Sequence, residues 1–271
     1  MTEIETESTV TKILDSKKYS GIKRSIIERI IKEKITNHKK QGELVKAVKN
    51  EIHIIHESFL TQNCHAKALE LLDNYAGKDI IRDKSFSANL MRLHASTNER
   101  MREAEEIYAF IGKYIEEDDH IIDLGCGFNP FALPYYIIHP KKYTAYDISS
   151  TTTSIIEKYF KLANVNYRTG ILDAAVQIPD IKGDVLLMLK LVPLLEHQKK
   201  GRSLEIIKTM SAGANQCRVT IVSFPTKSAS GKEKGMETFY SNQFENSIRP
   251  DFTIKEKKVF HNEMFYAIIS A

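Results

Sequence analysis

Ile121-Ile122-Asp123-Leu124-Gly125-Cys126-Gly127-Phe128-Asn129-Pro130 is the stretch on which the fold turns. An apolar run reaches an acid and then enters a Gly-x-Gly turn. Glycines there permit positive φ and let the backbone approach a ligand closely. A phosphate-cradling dinucleotide fingerprint needs a third glycine for helix–strand packing. Here Phe131 follows Pro130 instead, and that cradle is not completed. The readings open at this turn are a structural strand–helix corner, a nicotinamide or flavin site, and a site for a cofactor without phosphate, such as S-adenosylmethionine.

Outward from this turn, short apolar runs alternate with amphipathic stretches. Strands are predicted at His120–Leu124, Tyr143–Ile148, Asn166–Arg168, Asp184–Leu189, Arg218–Ser223, Thr253–Val259 and Met264–Ile269, with helices in the gaps after the first five. Strand–helix alternation implies a parallel sheet with helices on both faces. Only Phe260 to Glu263 separate the last two runs, so these form an antiparallel hairpin. Five parallel strands and a terminal hairpin give an α/β fold with the layout of the Rossmann-like methyltransferases.

The first hundred residues differ in character. Apolar residues recur at three- and four-residue steps over Thr11–Ile35 and Leu44–Phe59, and Lys67–Tyr75 and Ser87–Tyr114 also read as helical. Residues 1–104 are therefore expected to form a helical domain and residues 105–271 the α/β core. Lys12 to Lys49 holds twelve Lys/Arg against four acids, a local net of +8, while the whole chain carries only +4. Such a run is either a solvated helix face or a surface for polyanions, because cations supply sequence-independent grip on phosphates.

Composition narrows the class. The 271 residues are 42% hydrophobic and 27% charged, ordinary for a globular chain able to bury its own core. No apolar run approaches the ~18 residues of a membrane span. MTEIETESTV is acidic and has no apolar signal core. Cys64, Cys126 and Cys217 lie far apart and share no metal-ligand spacing. A reduced cytoplasmic protein without metal or membrane partner is the expectation.

Three further motifs carry chemistry. Asp147, in Tyr146-Asp147-Ile148, follows Gly125 by 22 positions. A carboxylate there can accept from both hydroxyls of a ribose, in a nicotinamide site as readily as in this one. Asp173, beyond the third strand, is the adenine-side candidate, or else a helix cap. In Leu93-His94-Ala95-Ser96-Thr97-Asn98-Glu99-Arg100, Ser96 or Thr97 can cap the following helix, and His94 fits a hydrogen-bonded structural role. Arg100 can instead present its guanidinium fork to the cofactor's methionine carboxylate. The basic loop Ser223–Glu237 follows the fifth strand and overhangs the carboxyl edge of the sheet, where open α/β folds bind ligands. It is either a solvated loop or a substrate-gripping one.

Together these segments resemble the aminoglycoside-resistance 16S ribosomal RNA methyltransferases that modify guanine N7 at position 1405. The resemblance rests on Ser16-Lys17-Lys18-Tyr19, Leu93–Arg100, Asp123–Pro130, Leu187-Met188-Leu189-Lys190 with Pro193, Ser223–Met236 and Asn262-Glu263-Met264. It departs at His56–Ser58 and across residues 60–90. The resemblance implies a helical N-terminal domain that binds rRNA beside a core that binds S-adenosylmethionine and releases S-adenosylhomocysteine. It implies cofactor contacts at Phe59, His94, Ala95, Ser96, Arg100, Gly125, Asp147, Asp173, Ala174, Leu189 and Gln198. Lys17, Lys18, Lys23 and Arg24 are the RNA-contact candidates in the basic stretch; Lys227, Lys232, Lys234 and Met236 are those in the loop. No catalytic acid or base is expected, since guanine N7 carries a free lone pair and no proton. The partner implied is 16S rRNA in the 30S subunit; a small-molecule methyltransferase is the alternative.

Overall fold

A computed structural model describes residues 3–16, 19, 21–38, 40–212, 217–226 and 236–271. The strands are β1 (His120–Leu124), β2 (Lys142–Asp147), β3 (Tyr167–Ile171), β4 (Val185–Leu189), β5 (Val219–Pro225), β6 (Phe252–Val259) and β7 (Glu263–Ser270). They form a seven-stranded sheet in the order β3-β2-β1-β4-β5-β7-β6. β1 to β5 are parallel, and β7 enters antiparallel between β5 and β6. The expected layout is therefore present. β4 is buried at every position, and β1 at all but its first. Central strands of a parallel sheet are covered on both faces, which is why they read as continuous apolar runs.

The helices are α1 (Glu3–Leu14), α2 (Arg24–Lys34), α3 (Gln41–Ile55), α4 (Cys64–Asp73), α5 (Lys84–Met91), α6 (Ala95–Arg100), α7 (Ala104–Gly112), α8 (Ser150–Ala163), α9 (Val192–Gln198), α10 (Arg202–Ser211) and α11 (Met236–Ile248). Four expectations change. The periodic stretch Thr11–Ile35 is divided between α1 and α2, and Gly21 and Ile22 dock on the core: Ile22 bridges Ser149, and the Gly21 carbonyl accepts from Ser150 N (2.8 Å). Ser87–Tyr114 is cut into α5, α6 and α7. No helix stands between β3 and β4, where residues 172–184 run as turns and extended chain. Asn129–Tyr135, after β1, is a 3-10 turn with Pro130 and Pro134 inside it rather than a long helix.

Three apolar clusters hold the molecule. One, from Val10 to Ile55, belongs to α1, α2 and α3 with the chain between them, and its edge meets Ile148. Another joins Cys64, Ala68, Leu90, Met91 and Ile107 to Phe128, Phe131, Tyr143 and Phe160. The helices from α4 onward therefore share the sheet's own core. The third packs α9, α10 and α11 on the other face. Among the described residues no helix is long and apolar enough to cross a membrane, and no group of three or more His, Cys, Asp or Glu could hold a metal ion. All three cysteines are free and buried.

Candidate functional site

The carboxyl ends of β1, β2 and β4 open into a pocket of about 770 Å³, part of it open to solvent. This is the size and place expected of a small-molecule site in an open α/β sheet. Phe59, His94, Ser96, Gly125, Asp147, Asp173, Ala174, Leu189 and Gln198 all line it. Those nine were named from the sequence, and the fold collects them from seven separate segments.

Gly125 and Gly127 both take positive φ, +65° and +48°. A Cβ on Gly125 would stand 2.9 Å from Leu191 Cδ1, and one on Gly127 2.9 Å from the His94 ring. Glycine is required at both, because L side chains are strained at positive φ and the neighbours leave no room. The turn exposes the Asp147 carboxylate. Its Oδ2 accepts from Gly127 N (3.0 Å) and its Oδ1 from Ser149 N (2.9 Å). Each oxygen keeps a further acceptor site, since an ionised carboxylate offers about four. The group is therefore aimed by backbone and still able to take two hydroxyls.

One wall of the pocket is aromatic. Phe59 stacks on His94 with ring centroids 6.0 Å apart and 6° between planes, and Phe128 lies behind His94 at 5.4 Å. His94 Nδ1 is 3.0 Å from Ser96 Oγ. Burial holds the imidazole down to a pKa of about 3, helped by the charges of His56, Arg100, His65 and Lys190. The ring is neutral at pH 7.

Arg100 departs from expectation. It is 2% exposed and does not line the pocket. Its fork is taken by Glu263, with Nε to Oε2 and Nη2 to Oε1 both 2.8 Å, and Nη1 donates to Asn129 Oδ1 (3.1 Å). The physical reason is that Glu263, at the start of β7, is also fully buried. Two ionised groups leave water together only when paired with good geometry. Asn129 extends the network by donating to Asp123 Oδ2 (2.9 Å), which also accepts from Tyr143 (2.7 Å). Burial raises Asp123 to about 6 against those two hydrogen bonds. Glu263 also accepts from Ser223 and lies 3.6 Å from Lys190 Nζ. Among the described residues Lys190 is the only Lys or Arg lining the pocket.

Sequence reasoning did not select Lys190, although it named the segment that holds it. Its φ is +58°, uncommon for a residue with a side chain, and its N–H is held by Ser223 Oγ (2.9 Å). Ile55, His56, Leu191 and Leu194 were also unselected wall residues. Ala95 opens α6 without lining the pocket. Lys23 and Arg24 are exposed at the start of α2, where Arg24 pairs with Glu7 and Glu28. Lys17, Lys18, Lys227, Lys232 and Lys234 lie outside the described residues, as does the side chain of Met236.

Known proteins with this arrangement are specific in kind. A family model described as ribosomal RNA methyltransferase (FmrO) matches residues 15–267. A 16S rRNA (guanine(1405)-N(7))-methyltransferase of Serratia marcescens is 31% identical over 96% of both chains. One of Proteus mirabilis with the same description is 27% identical over 97% of this chain and 96% of its own. Among solved structures, 16S rRNA methyltransferase RmtF in complex with S-adenosyl-L-homocysteine superposes with a TM-score of 0.88 at 25% identity, covering 100% of both chains. The 16S rRNA methylase RmtB superposes at 0.80, with 26% identity and 98% of each chain. The turn, the acids and the aromatic wall thus sit in a fold shared from end to end, and the chain belongs to the FmrO family of ribosomal RNA methyltransferases.

Proposed function

We propose that this protein transfers a methyl group from S-adenosylmethionine to N7 of guanine 1405 of 16S rRNA in the 30S subunit, and so protects the decoding site from aminoglycosides. The observation that carries the reading is one pocket in which backbone-aimed Asp147 and the edge acid Asp173 face the same space as a neutral aromatic wall. The residues fit a cofactor that has a ribose, an adenine and no phosphate. Asp147 takes the ribose hydroxyls, and Asp173 and Ala174 hold the adenine. The wall of Phe59, His94 and Ser96, reached from Leu189 and Lys190, takes the methionine end. Arg100 acts there through Glu263, which stands beside Lys190. Ala95 serves by placing Ser96. When bound, the cofactor supplies a methyl group on an already activated sulfonium.

The chain's part is then alignment. Guanine N7 presents its lone pair without losing a proton, so no general base is needed, and catalysis is by proximity and orientation. A neutral His94 adds no charge to repel a sulfonium. A base within folded rRNA has to leave its stack to reach the pocket. The helical region, drawn as residues 1–104, supplies the cationic surface, with Lys17, Lys18, Lys23 and Arg24 toward phosphates. Lys227, Lys232, Lys234 and Met236 complete the contact from the loop after β5. The working compartment is the cytoplasm, where 30S subunits are found. A small-molecule methyltransferase would use the same pocket but leave the basic stretch without a task.

The test is methyl transfer to 30S subunits, naked 16S rRNA and small acceptors, followed by borohydride and aniline cleavage read by primer extension. Cleavage at guanine 1405 in 30S subunits is expected. A stop at another nucleotide, or transfer only to small acceptors, overturns the assignment.

A further inference from the structure

The basic stretch is not uniformly turned to solvent. Arg29, in the middle of α2, points inward and its side chain is 13% exposed. Its Nε donates to Asp173 Oδ2 at 2.6 Å, and Nη2 lies 3.4 Å from Asp173 Oδ1. Nη2 also donates to Gln198 Oε1 at 2.9 Å, and Nη1 to Glu33 at 2.8 Å. Asp173 and Gln198 are both pocket-lining residues, one from the chain after β3 and the other from the end of α9. One guanidinium from the helical region thus fixes two side chains of the core pocket. A second contact reinforces the seat: Glu51 of α3 meets His197 Nε2 of α9 at 3.2 Å and Lys34 at 2.7 Å.

We propose that Arg29 is a positioning residue that aims Asp173 at the adenine amine and thereby sets the pocket's choice of purine. The inference rests on the reading of Asp173 as the adenine-side acid. A carboxylate only accepts hydrogen bonds when ionised. Adenine offers an exocyclic amine as donor, whereas hypoxanthine offers a carbonyl oxygen that would face the same carboxylate as acceptor against acceptor. Discrimination requires Asp173 to be held in one orientation. Arg29 holds it by Oδ2, and Ala175 N donates to Oδ1 at 3.2 Å. A planar fork can bridge Asp173 and Gln198 together, and a lysine ammonium cannot match that geometry. Because α2 also exposes Arg24 and Lys32, with Lys23 exposed just before it, the helix offered to rRNA is tied by Arg29 to the adenine end of the pocket.

The experiment is calorimetric binding of S-adenosylhomocysteine and its deaminated analogue, S-inosylhomocysteine. The proteins are the intact chain and its Arg29→Met, Arg29→Lys and Asp173→Asn variants. The unaltered protein is expected to prefer the adenosine ligand by about tenfold or more, since sites built around a hydrogen bond reject analogues that lack it. Arg29→Met loses most of this preference, and Asp173→Asn abolishes or inverts it. Arg29→Lys keeps charge and stem and falls between; it carries the test if Arg29→Met does not fold. A merely structural role would weaken both ligands equally and leave the ratio unmoved. Retention of the full preference in the Arg29 variants, with its loss in Asp173→Asn, overturns the role of Arg29 alone. Retention in Asp173→Asn, or no preference in the unaltered protein, removes Asp173 from the adenine end and the inference with it.

Discussion

Charge is handled in opposite ways in the two halves of this molecule. Across α1 to α3 most cations stand in solvent: Lys12, Lys23, Arg24, Lys32, Lys40 and Lys46 are all exposed. In the sheet core Arg100, Lys190 and Arg202 are buried, and each is spent on a specific partner. Exposed pairs such as Arg24 with Glu28 contribute little to stability because water and salt screen them. A buried ion is costly to leave alone, so its partner becomes indispensable even when the pair as a whole adds little. Cations of the helical region therefore remain available to a polyanionic partner, while those of the core hold the pocket's floor in place. Arg29 is the exception that joins the halves.

The largest effect is expected where that contrast is sharpest. Arg100→Ala leaves Glu263 buried without its fork, and should destabilise the fold by about 3–5 kcal/mol. Chemical denaturation measures it. A loss below ~1 kcal/mol would mean the core's charges are as dispensable as the surface ones. Lys190→Ala in the same assay should cost less, and should weaken S-adenosylmethionine binding more than it weakens the fold.

Asp147→Ala separates pocket from scaffold. Loss of a charged hydrogen-bonding partner typically costs about 1.5–3 kcal/mol, or roughly ten- to hundredfold in cofactor affinity by calorimetry. Unchanged affinity in a folded variant would remove Asp147 from the site.

Charge reversal on the helical side should do the converse. With Lys17, Lys18, Lys23 and Arg24 replaced by Glu, 30S binding should weaken and its salt dependence should flatten, by up to about one unit of slope per lost phosphate contact. Cofactor affinity should hold steady. Equal 30S binding at every salt concentration would reduce the stretch to a solvated face.

The smallest expected effect is in pH. His94 titrates at about 3 in the fold against 6.5 as a free side chain. Its folded pKa is depressed, so the unfolded chain takes up the proton first. The stability this gives is full above about pH 6.5 and is lost as the pH falls toward 3. Between pH 7 and about 5.5 the loss should be near 1 kcal/mol by denaturant midpoint. Glu263, held low by Arg100 and Lys190 against the opposing effect of burial, adds a loss of the same sign at lower pH. His94→Gln should flatten the slope above pH 5. An unaltered slope in that variant would place the titration elsewhere.

Much of this was legible in the residues themselves. Strand–helix alternation, the 22-position step from Gly125 to Asp147 and the short gap between the two strands of the terminal hairpin are local patterns, and the backbone follows local patterns when packing agrees with them. Gly125, Asp147 and Asp173 were readable for the same reason, since each lies at or just beyond a strand end, whereas Phe59, His94, Ser96, Ala174, Leu189 and Gln198 followed only from the family resemblance. The division of Thr11–Ile35 was not readable, because its apolar period continues while a distant contact, Ile22 on Ser149, bends the chain. The span between β3 and β4 carries no helix although a parallel crossover usually does.

The residues alone carried the order of the strands, the glycine turn, an acid at the end of β2 and the excess of cations between Lys12 and Lys49. The tertiary structure decided where each cation points. Arg100 finds Glu263 across 163 positions, and Arg29 finds Asp173 across 144. Periodicity and spacing report on neighbours within a few turns, whereas the partner of a buried charge is set by which surfaces leave water together. Only the assembled core settles that, which is why Arg100 reads as a ligand-binding fork in the sequence and stands as a buried strut in the fold.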